Sequence, residues 1–177
     1  MRNKRIFLLI SVFCLLITSC QNLYSTSKRQ SKFYKTFFAG EEGTRYFIKP
    51  ITLQNKKESI DIDITFTSST ILKDSATINY SLQTNQLIKK LQKFYITNGA
   101  DTLYISGNHL LFLDRNKKNY ISRFSGRMPA EDLKKLFANN KWTATIVSRN
   151  EIKHFDSKKR TSKVIDFLNK HIFILLQ

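Results

Sequence analysis

The feature that most constrains the fold is a strict alternation of apolar and polar residues over positions 60–67. Isoleucine or phenylalanine occupies every second position, and aspartate or threonine stands between them. Successive side chains of a β-strand point to opposite faces, so this pattern predicts a strand with one buried and one solvated face. Residues 76–82 repeat the alternation, and Lys73, Asp74 and Ser75 supply turn chemistry between the two strands.

Short apolar runs separated by turn residues continue along the chain. They predict further strands at 46–53, 91–97, 102–106, 110–113, 120–125, 142–148 and 151–155. Turn residues lie at 98–101 and 106–108, a polar connection lies at 114–119, and Pro50 indicates a sheet edge or a bulge. Short strands joined by tight turns favour an antiparallel sheet, either a meander or a sandwich-like arrangement.

Two segments have helical spacing. Pro129 suits a first helical position, and a helix from there to about residue 138 would place Leu133, Leu136 and Phe137 on one face. Ser162 is a candidate N-cap for a C-terminal helix with its own apolar stripe. The predicted fold class is therefore α+β and mainly β. Residues 44–177 form one domain in which a short mid-chain helix precedes a C-terminal helix packed on the sheet.

The first residues form a secretory leader. A cationic start with Arg2, Lys4 and Arg5 precedes an apolar run over 6–16 that only Ser11 interrupts, and small residues follow. The run is shorter than the roughly 20 apolar residues that a permanent transmembrane helix needs. We expect residues 1–19 to be a signal peptide that is removed.

The sequence Ile17-Thr18-Ser19-Cys20 resembles the lipobox of bacterial lipoproteins. The resemblance covers only the leader, and it implies that the Cys20 thiol takes a diacylglycerol and that acylation of the new amino terminus follows cleavage. Two or three acyl chains would hold the protein on a bilayer, because each buried methylene contributes about 0.8 kcal/mol. The only other cysteine, Cys14, leaves with the leader, so no thiol remains for a disulfide or a thiolate metal site.

The location follows from the residues after the cysteine. Gln21 stands where aspartate is an inner-membrane retention cue in Gram-negative lipoproteins, and no acidic cluster follows it. The resemblance, which extends in general character to small Bacteroidota lipoproteins of unassigned activity, therefore implies the outer membrane, facing the periplasm. A Gram-positive surface is the alternative.

Residues 20–43 are predicted to be the lipidated amino terminus and a tether. Its second half is basic and aromatic, and Phe33 and Phe37, like Tyr34 and Phe38, are spaced for one helical turn. These rings would lie either in an anionic membrane interface or against the domain. Gly40 to Gly43 would form a loop.

The formal net charge is +17, and about +14 remains once the leader is removed. This charge favours anionic partners such as lipid headgroups or envelope glycans. Nucleic acid is disfavoured by the exported address and by the lack of zinc-finger, helix-turn-helix or RNP-like motifs. The alternative is that the scattered lysine pairs only solvate turns and strand faces.

The search for catalytic chemistry gives weak candidates. Asp61 and Asp63 share one strand face, where paired carboxylates serve acid–base catalysis or cation binding, or simply mark the solvated face. Lys49, Lys56 or Lys57 are the candidates for neutralising this pair. Neither a cofactor nor a metal site is expected from the sequence.

The remaining candidates are isolated residues. His109, His154 and His171 lack metal-ligand spacing. Ser106 stands near His109 but lacks the Gly-x-Ser-x-Gly elbow, so a turn is the better interpretation. Trp142 fits a core anchor better than a sugar platform.

Three functions remain open. The favoured hypothesis is a lipid-anchored, non-catalytic binding or scaffolding protein of the cell envelope, with an envelope protein or an anionic glycan or lipid as its partner. The second is an envelope hydrolase acting on glycan or peptide through Asp61, Asp63 or His109. The third is an inhibitor or immunity lipoprotein.

Overall fold

The alternating segments form the walls of a β-barrel in the computed structural model, which describes residues 32–68, 75–149 and 151–174. The described residues from Lys35 onward belong to one compact unit. The described strands are β1 (Tyr34–Phe38), β2 (Thr44–Asn55), β3 (Glu58–Ser68), β4 (Ser75–Thr84), β5 (Leu91–Thr97), β6 (Thr102–Asn116), β7 (Asn119–Pro129), β8 (Thr143–Ser148) and β9 (Ile152–Asp156).

Eight of these strands close into a ring. Their order is β2-β3-β4-β7-β6-β5-β8-β9, and β9 returns to β2 through the pair Gln54 and Asp156. Every pairing between these eight strands is antiparallel, and β1 lies outside the ring beside β2. The predicted α+β class, with an open meander or sandwich-like sheet, is therefore wrong: the fold is a mainly-β, closed antiparallel barrel of eight strands with one additional strand.

The strand order contains a Greek key. Strands β5, β6 and β7 are neighbours in both sequence and space, and β8 returns after a helix to lie on the far side of β5. Alternation predicts which side chains face inward, but it does not say which distant strand each strand will meet. The closure between β2 and β9 depends on pairing across most of the chain, and no local pattern encodes it.

Side chains fill the barrel. Alternate residues of β3 and β4 point inward and are fully buried, among them Ile60, Ile62 and Ile78. The Tyr80 ring packs between Phe94 and Phe124, at centroid distances of 4.1 and 5.6 Å. Burying such a side chain completely stabilises the fold by about 1.5–3 kcal/mol.

Two short α-helices complete this core, α1 (Ala130–Phe137) and α2 (Lys159–Leu168), and a π-helical turn (Asn169–Phe173) follows α2. The Phe173 ring stacks on Phe137 at 4.0 Å and on Phe66 at 5.5 Å. The prediction that the C-terminal helix packs on one face of an open sheet is therefore wrong. Both helices instead add side chains to the core of a closed barrel.

Several local predictions are confirmed and others are wrong. Pro50 lies in a bulge of β2, as predicted, whereas Pro129 directly precedes α1 and is not its first residue, because the helix begins at Ala130. Ser162 is not an N-cap, because α2 already begins at Lys159. Residues 34–38 form a strand instead of a helical turn, and the predicted strands 102–106 and 110–113 are one continuous strand, β6. Lys73 and Asp74 lie outside the described residues.

Candidate interaction site

Strand β6 leaves its neighbour β5 halfway along its length. The two strands pair only from Thr102 opposite Thr97 to Ile105 opposite Phe94. On its other side, β6 stays paired with β7 up to Asn116. Among the described residues, no strand pairs with residues 106–116 on the side that faces β5. We call this side of residues 106–116 the free edge of β6.

A bulge fixes the point where the strands diverge. Gly107 has φ +63°, a left-handed conformation that glycine adopts readily, and the pairing with β7 shifts between Ser106 and His109. The Asn108 amide holds the bulge: its Nδ2 donates to the Ile105 carbonyl at 2.8 Å, and its Oδ1 accepts from the Tyr80 hydroxyl at 2.7 Å. The bend is therefore tied to the barrel core.

Gly126 of β7 packs against the back of this bulge. A Cβ at this position would lie 2.8 Å from Asn108 Oδ1 and 2.9 Å from the Ser106 carbonyl oxygen, and it would overlap the Ile105 side chain. Only glycine lets the bulge approach β7 so closely. The buried Tyr80 hydroxyl that anchors the bulge also has a pKa well above its usual range because burial disfavours the phenolate, so it remains a hydrogen-bond donor.

A cleft opens where β5 and β6 separate. It has a volume of about 260 Å³ and is lined by the start of β5, residues 91–94, and by residues 104–108 of β6. Three exposed lysines precede or line the β5 side of this cleft: Lys89, Lys90 and Lys93.

The free edge carries an exposed apolar run. It consists of Leu110 (36% exposed), Leu111 (48%), Phe112 (48%) and Leu113 (39%). An open, apolar strand edge is a template for pairing with another chain, and proteins usually cover or charge such edges. Contiguous exposed apolar surface also marks interaction sites.

Cations crowd the tip of the β6–β7 hairpin. Lys117 and Lys118 form its two-residue turn between the paired Asn116 and Asn119, and Lys117 has φ +56°. The Arg115 guanidinium lies 5.4 Å from the centre of the Tyr120 ring. The free edge is therefore flanked by positive charge at its tip and across the cleft.

The predicted carboxylate pair lies elsewhere, on the outer face of the barrel. Arg123 of β7 donates from Nη2 to both oxygens of Asp63, at 2.8 and 3.0 Å, and from Nη1 to the Ser81 hydroxyl. Asp61 accepts a hydrogen bond of 2.5 Å from Thr52. Arg123 therefore neutralises Asp63, in place of the lysines that the sequence suggested. Both carboxylates, Asp61 and Asp63, are engaged in hydrogen bonds on the wall of the barrel.

The other sequence candidates are not brought together. The Nδ1 atoms of the histidines contact separate groups: the Gly107 carbonyl at 3.2 Å for His109, the Thr145 hydroxyl at 2.9 Å for His154 and the Phe167 carbonyl at 2.8 Å for His171. Within the described residues, no group of three or more His, Cys, Asp or Glu is placed to hold a metal ion.

Ser106 belongs to the β6 bulge and not to the predicted turn, and its hydroxyl donates to the Arg127 carbonyl at 3.3 Å. Trp142 is a core anchor, as predicted: it is buried, and its Nε1 donates to the Leu136 and Asn139 carbonyls. Cys14 and Cys20 lie outside the described residues.

A cavity of about 540 Å³ beside α2 is also not a convincing catalytic cleft. Its two carboxylates are engaged by neutral side chains: Asp156 accepts from the Thr143 hydroxyl and Asp166 accepts from the Asn140 amide. Asp61, Asp63 and His109 do not line it.

One ionic cluster was missed by sequence reasoning. Lys153 of β9 bonds both carboxylate oxygens of Glu58 at 2.9 Å and lies 3.1 Å from Glu151. Burial alone would lower the Lys153 pKa, but the hydrogen bonds and charges of the two glutamates outweigh it and raise the pKa above its ordinary value. Glu58 and Lys153 are far apart in sequence, so only the closure of the barrel brings them together.

Comparison with family models, with curated proteins and with solved structures finds no match to this chain. In the part of the chain that the structure describes, no helix combines the length and apolarity needed to cross a bilayer.

Proposed function

We propose that this chain is a non-catalytic lipoprotein of the cell envelope that binds another envelope component through the free edge of β6. The observation that carries the proposal is the apolar run 110–113, exposed on a strand that lacks a described partner on one side. Strands β3, β4, β5, β7 and β8 each pair with a neighbour on both sides, whereas residues 106–116 of β6 leave backbone hydrogen-bonding groups without a described strand partner on one side.

The anchor supports the same proposal. Lipid on Cys20 would keep the barrel at a membrane surface, and an outer-membrane position facing the periplasm would present the free edge to periplasmic partners. A tethered binding protein needs no deep polar cleft. Its requirements are a permanent anchor and an exposed, specific surface.

The hydrolase alternative has less support. Its candidate groups do not converge, because Asp63 is engaged by Arg123 on the outer wall while the His109 ring contacts the Gly107 carbonyl. An inhibitor or immunity role is a special case of binding, and the identity of the partner would distinguish it.

The binding role is tested in cells by placing a photocrosslinking amino acid at position 112 of the full chain. We expect one dominant crosslinked partner, and we expect Leu111→Asp to abolish the crosslink. The matched control is Ile152→Asp, which charges an exposed apolar residue on β9 and should leave the crosslink intact.

The anchor is tested separately with Cys20→Ser, which should lose palmitate labelling and leave the membrane fraction. A crosslink that persists at full strength in Leu111→Asp would contradict the binding surface. Normal membrane fractionation of Cys20→Ser would contradict the anchor.

A further inference from the structure

We infer that the partner supplies an extended peptide segment of apolar and acidic residues, which adds to the free edge of β6 as a further β-strand. This inference rests on the proposed binding function and specifies the chemistry of its partner. The juxtaposition that carries it is an open strand edge, a cleft beside it and cations at both ends.

The backbone provides the first argument. Pairing with β5 stops at Ile105, whereas β6 continues for eleven residues to Asn116. Every second residue of an antiparallel strand directs its N–H and C=O groups to the same side, so this edge offers several donors and acceptors. The cleft beside residues 104–108 leaves space for an incoming strand to enter between β5 and β6.

The side chains provide the second argument. Leu110 and Leu113 lie opposite Phe124 and Ser122, whose side chains are buried, whereas Phe112 lies opposite the outward-facing Arg123. Apolar side chains therefore flank the edge on both faces of the sheet. An added strand with apolar residues could cover them on either face, because cross-strand neighbours are in contact.

The charge distribution selects an acidic strand. Lys93 lines the β5 side of the cleft, the exposed Lys89 and Lys90 directly precede β5 in the chain, and Lys117 and Lys118 form the hairpin tip. A second copy of the chain would bring the same cations against themselves. A lipid bilayer fits less well, because hydrocarbon would cover the apolar side chains and leave the donors and acceptors of the open edge unpaired.

The test uses the full chain in mild detergent and a fluorescent synthetic peptide of alternating valine and glutamate. Three comparison peptides separate the contributions of charge, residue order and backbone hydrogen bonding. The first has lysine for glutamate, the second is scrambled in order, and the third has the same side chains but is N-methylated on every second amide. Anisotropy measures the affinity, and hydrogen exchange followed by mass spectrometry locates protection.

We expect the acidic peptide to bind and to slow exchange in residues 106–116. N-methylation should weaken binding by at least roughly tenfold, since it removes several backbone hydrogen bonds. The lysine peptide should bind more weakly still. Leu111→Asp should reduce binding, whereas Ile152→Asp should not, and equal melting temperatures would show that both variants fold.

Other outcomes overturn the inference. Equal affinity for the N-methylated or scrambled peptide would mean that charge alone holds the peptide. Edge protection that appears without peptide and rises with protein concentration would identify a second copy as the occupant. Edge protection by phosphatidylglycerol vesicles, with no peptide binding, would identify a membrane. In each case, a position-112 crosslink to an envelope protein in cells would leave the proposed binding function standing.

Discussion

Gly126→Ala tests whether the bulge at the base of the free edge is fixed by close packing. The added methyl group would overlap the Ile105 side chain and push on the Asn108 amide. Overfilling a packed core costs about 1–3 kcal/mol. If Asn108 moves, the buried Tyr80 hydroxyl loses its acceptor, which costs about 1–3 kcal/mol more. We therefore expect the free energy of unfolding to fall by about 2–6 kcal/mol.

This loss is measurable by urea and thermal unfolding of the full chain in mild detergent, followed by circular dichroism. At roughly 2–4 °C per kcal/mol for a chain of this size, the midpoint should fall by about 4–24 °C. Gly107→Asn is the matched control, because no atom lies within 4 Å of its Cβ position and asparagine tolerates φ +63°. It should change the midpoint by only a few degrees.

A double-mutant cycle with Asn108→Ala tests the mechanism. Since Gly126→Ala already displaces the Asn108 amide, the two changes together should cost clearly less than the sum of their separate costs. The reasoning is refuted if Gly126→Ala changes stability by less than about 0.5 kcal/mol, the size of an ordinary surface substitution. If the costs of Gly126→Ala and Asn108→Ala were fully additive, displacement of the Asn108 amide could not account for part of the stability loss in Gly126→Ala.

Three further predictions concern contacts between distant parts of the chain. Lys153→Met should lower the free energy of unfolding by about 1–3 kcal/mol at pH 7. Because the pKa of Lys153 is raised in the folded state, the stabilisation by the charged lysine is complete below about pH 10 and is lost as pH rises through the folded pKa. A stability difference between variant and wild type that stays constant up to about pH 11 would refute this prediction. Arg123→Met should cost about 1–2 kcal/mol in urea unfolding, because it leaves the half-buried Asp63 without its cation, whereas the more exposed Arg45→Met control should cost under about 0.5 kcal/mol. Asn98→Ala should cost about 2–4 kcal/mol, since the buried amide joins the β5–β6 turn to α1; hydrogen exchange should show α1 opening more often, and unchanged protection there would contradict this role.

Local patterns determined much of the secondary structure. The alternation in β3 and β4 identified the strands and their buried faces, because side chains of successive residues point to opposite sides of a strand. Proline chemistry located the β2 bulge and the start of α1. The position of Trp142 between a helix end and a strand start favoured a core anchor, and the residue is buried.

The candidate site was only partly visible in the sequence. Residues 110–113 stood out as a strand, but four successive apolar residues can be buried on both faces or exposed on both, and the sequence does not distinguish the two cases. The bulge at Gly107 was interpreted as a turn, since glycine and asparagine suit both structures. The carboxylate pair was placed on one face, but its partner Arg123 comes from a strand sixty residues away.

By itself, then, the sequence determined most of the strands and their inward faces, because these depend on residues close together in the chain, and it predicts a lipobox-like leader on the same local grounds. Only the tertiary structure decided that the sheet closes through β2 and β9, that Lys153 forms an ion pair with Glu58, and that β6 extends beyond its pairing with β5. These features depend on which strands pair over long separations. That choice follows from packing the whole core at once, so no segment of the sequence specifies it alone.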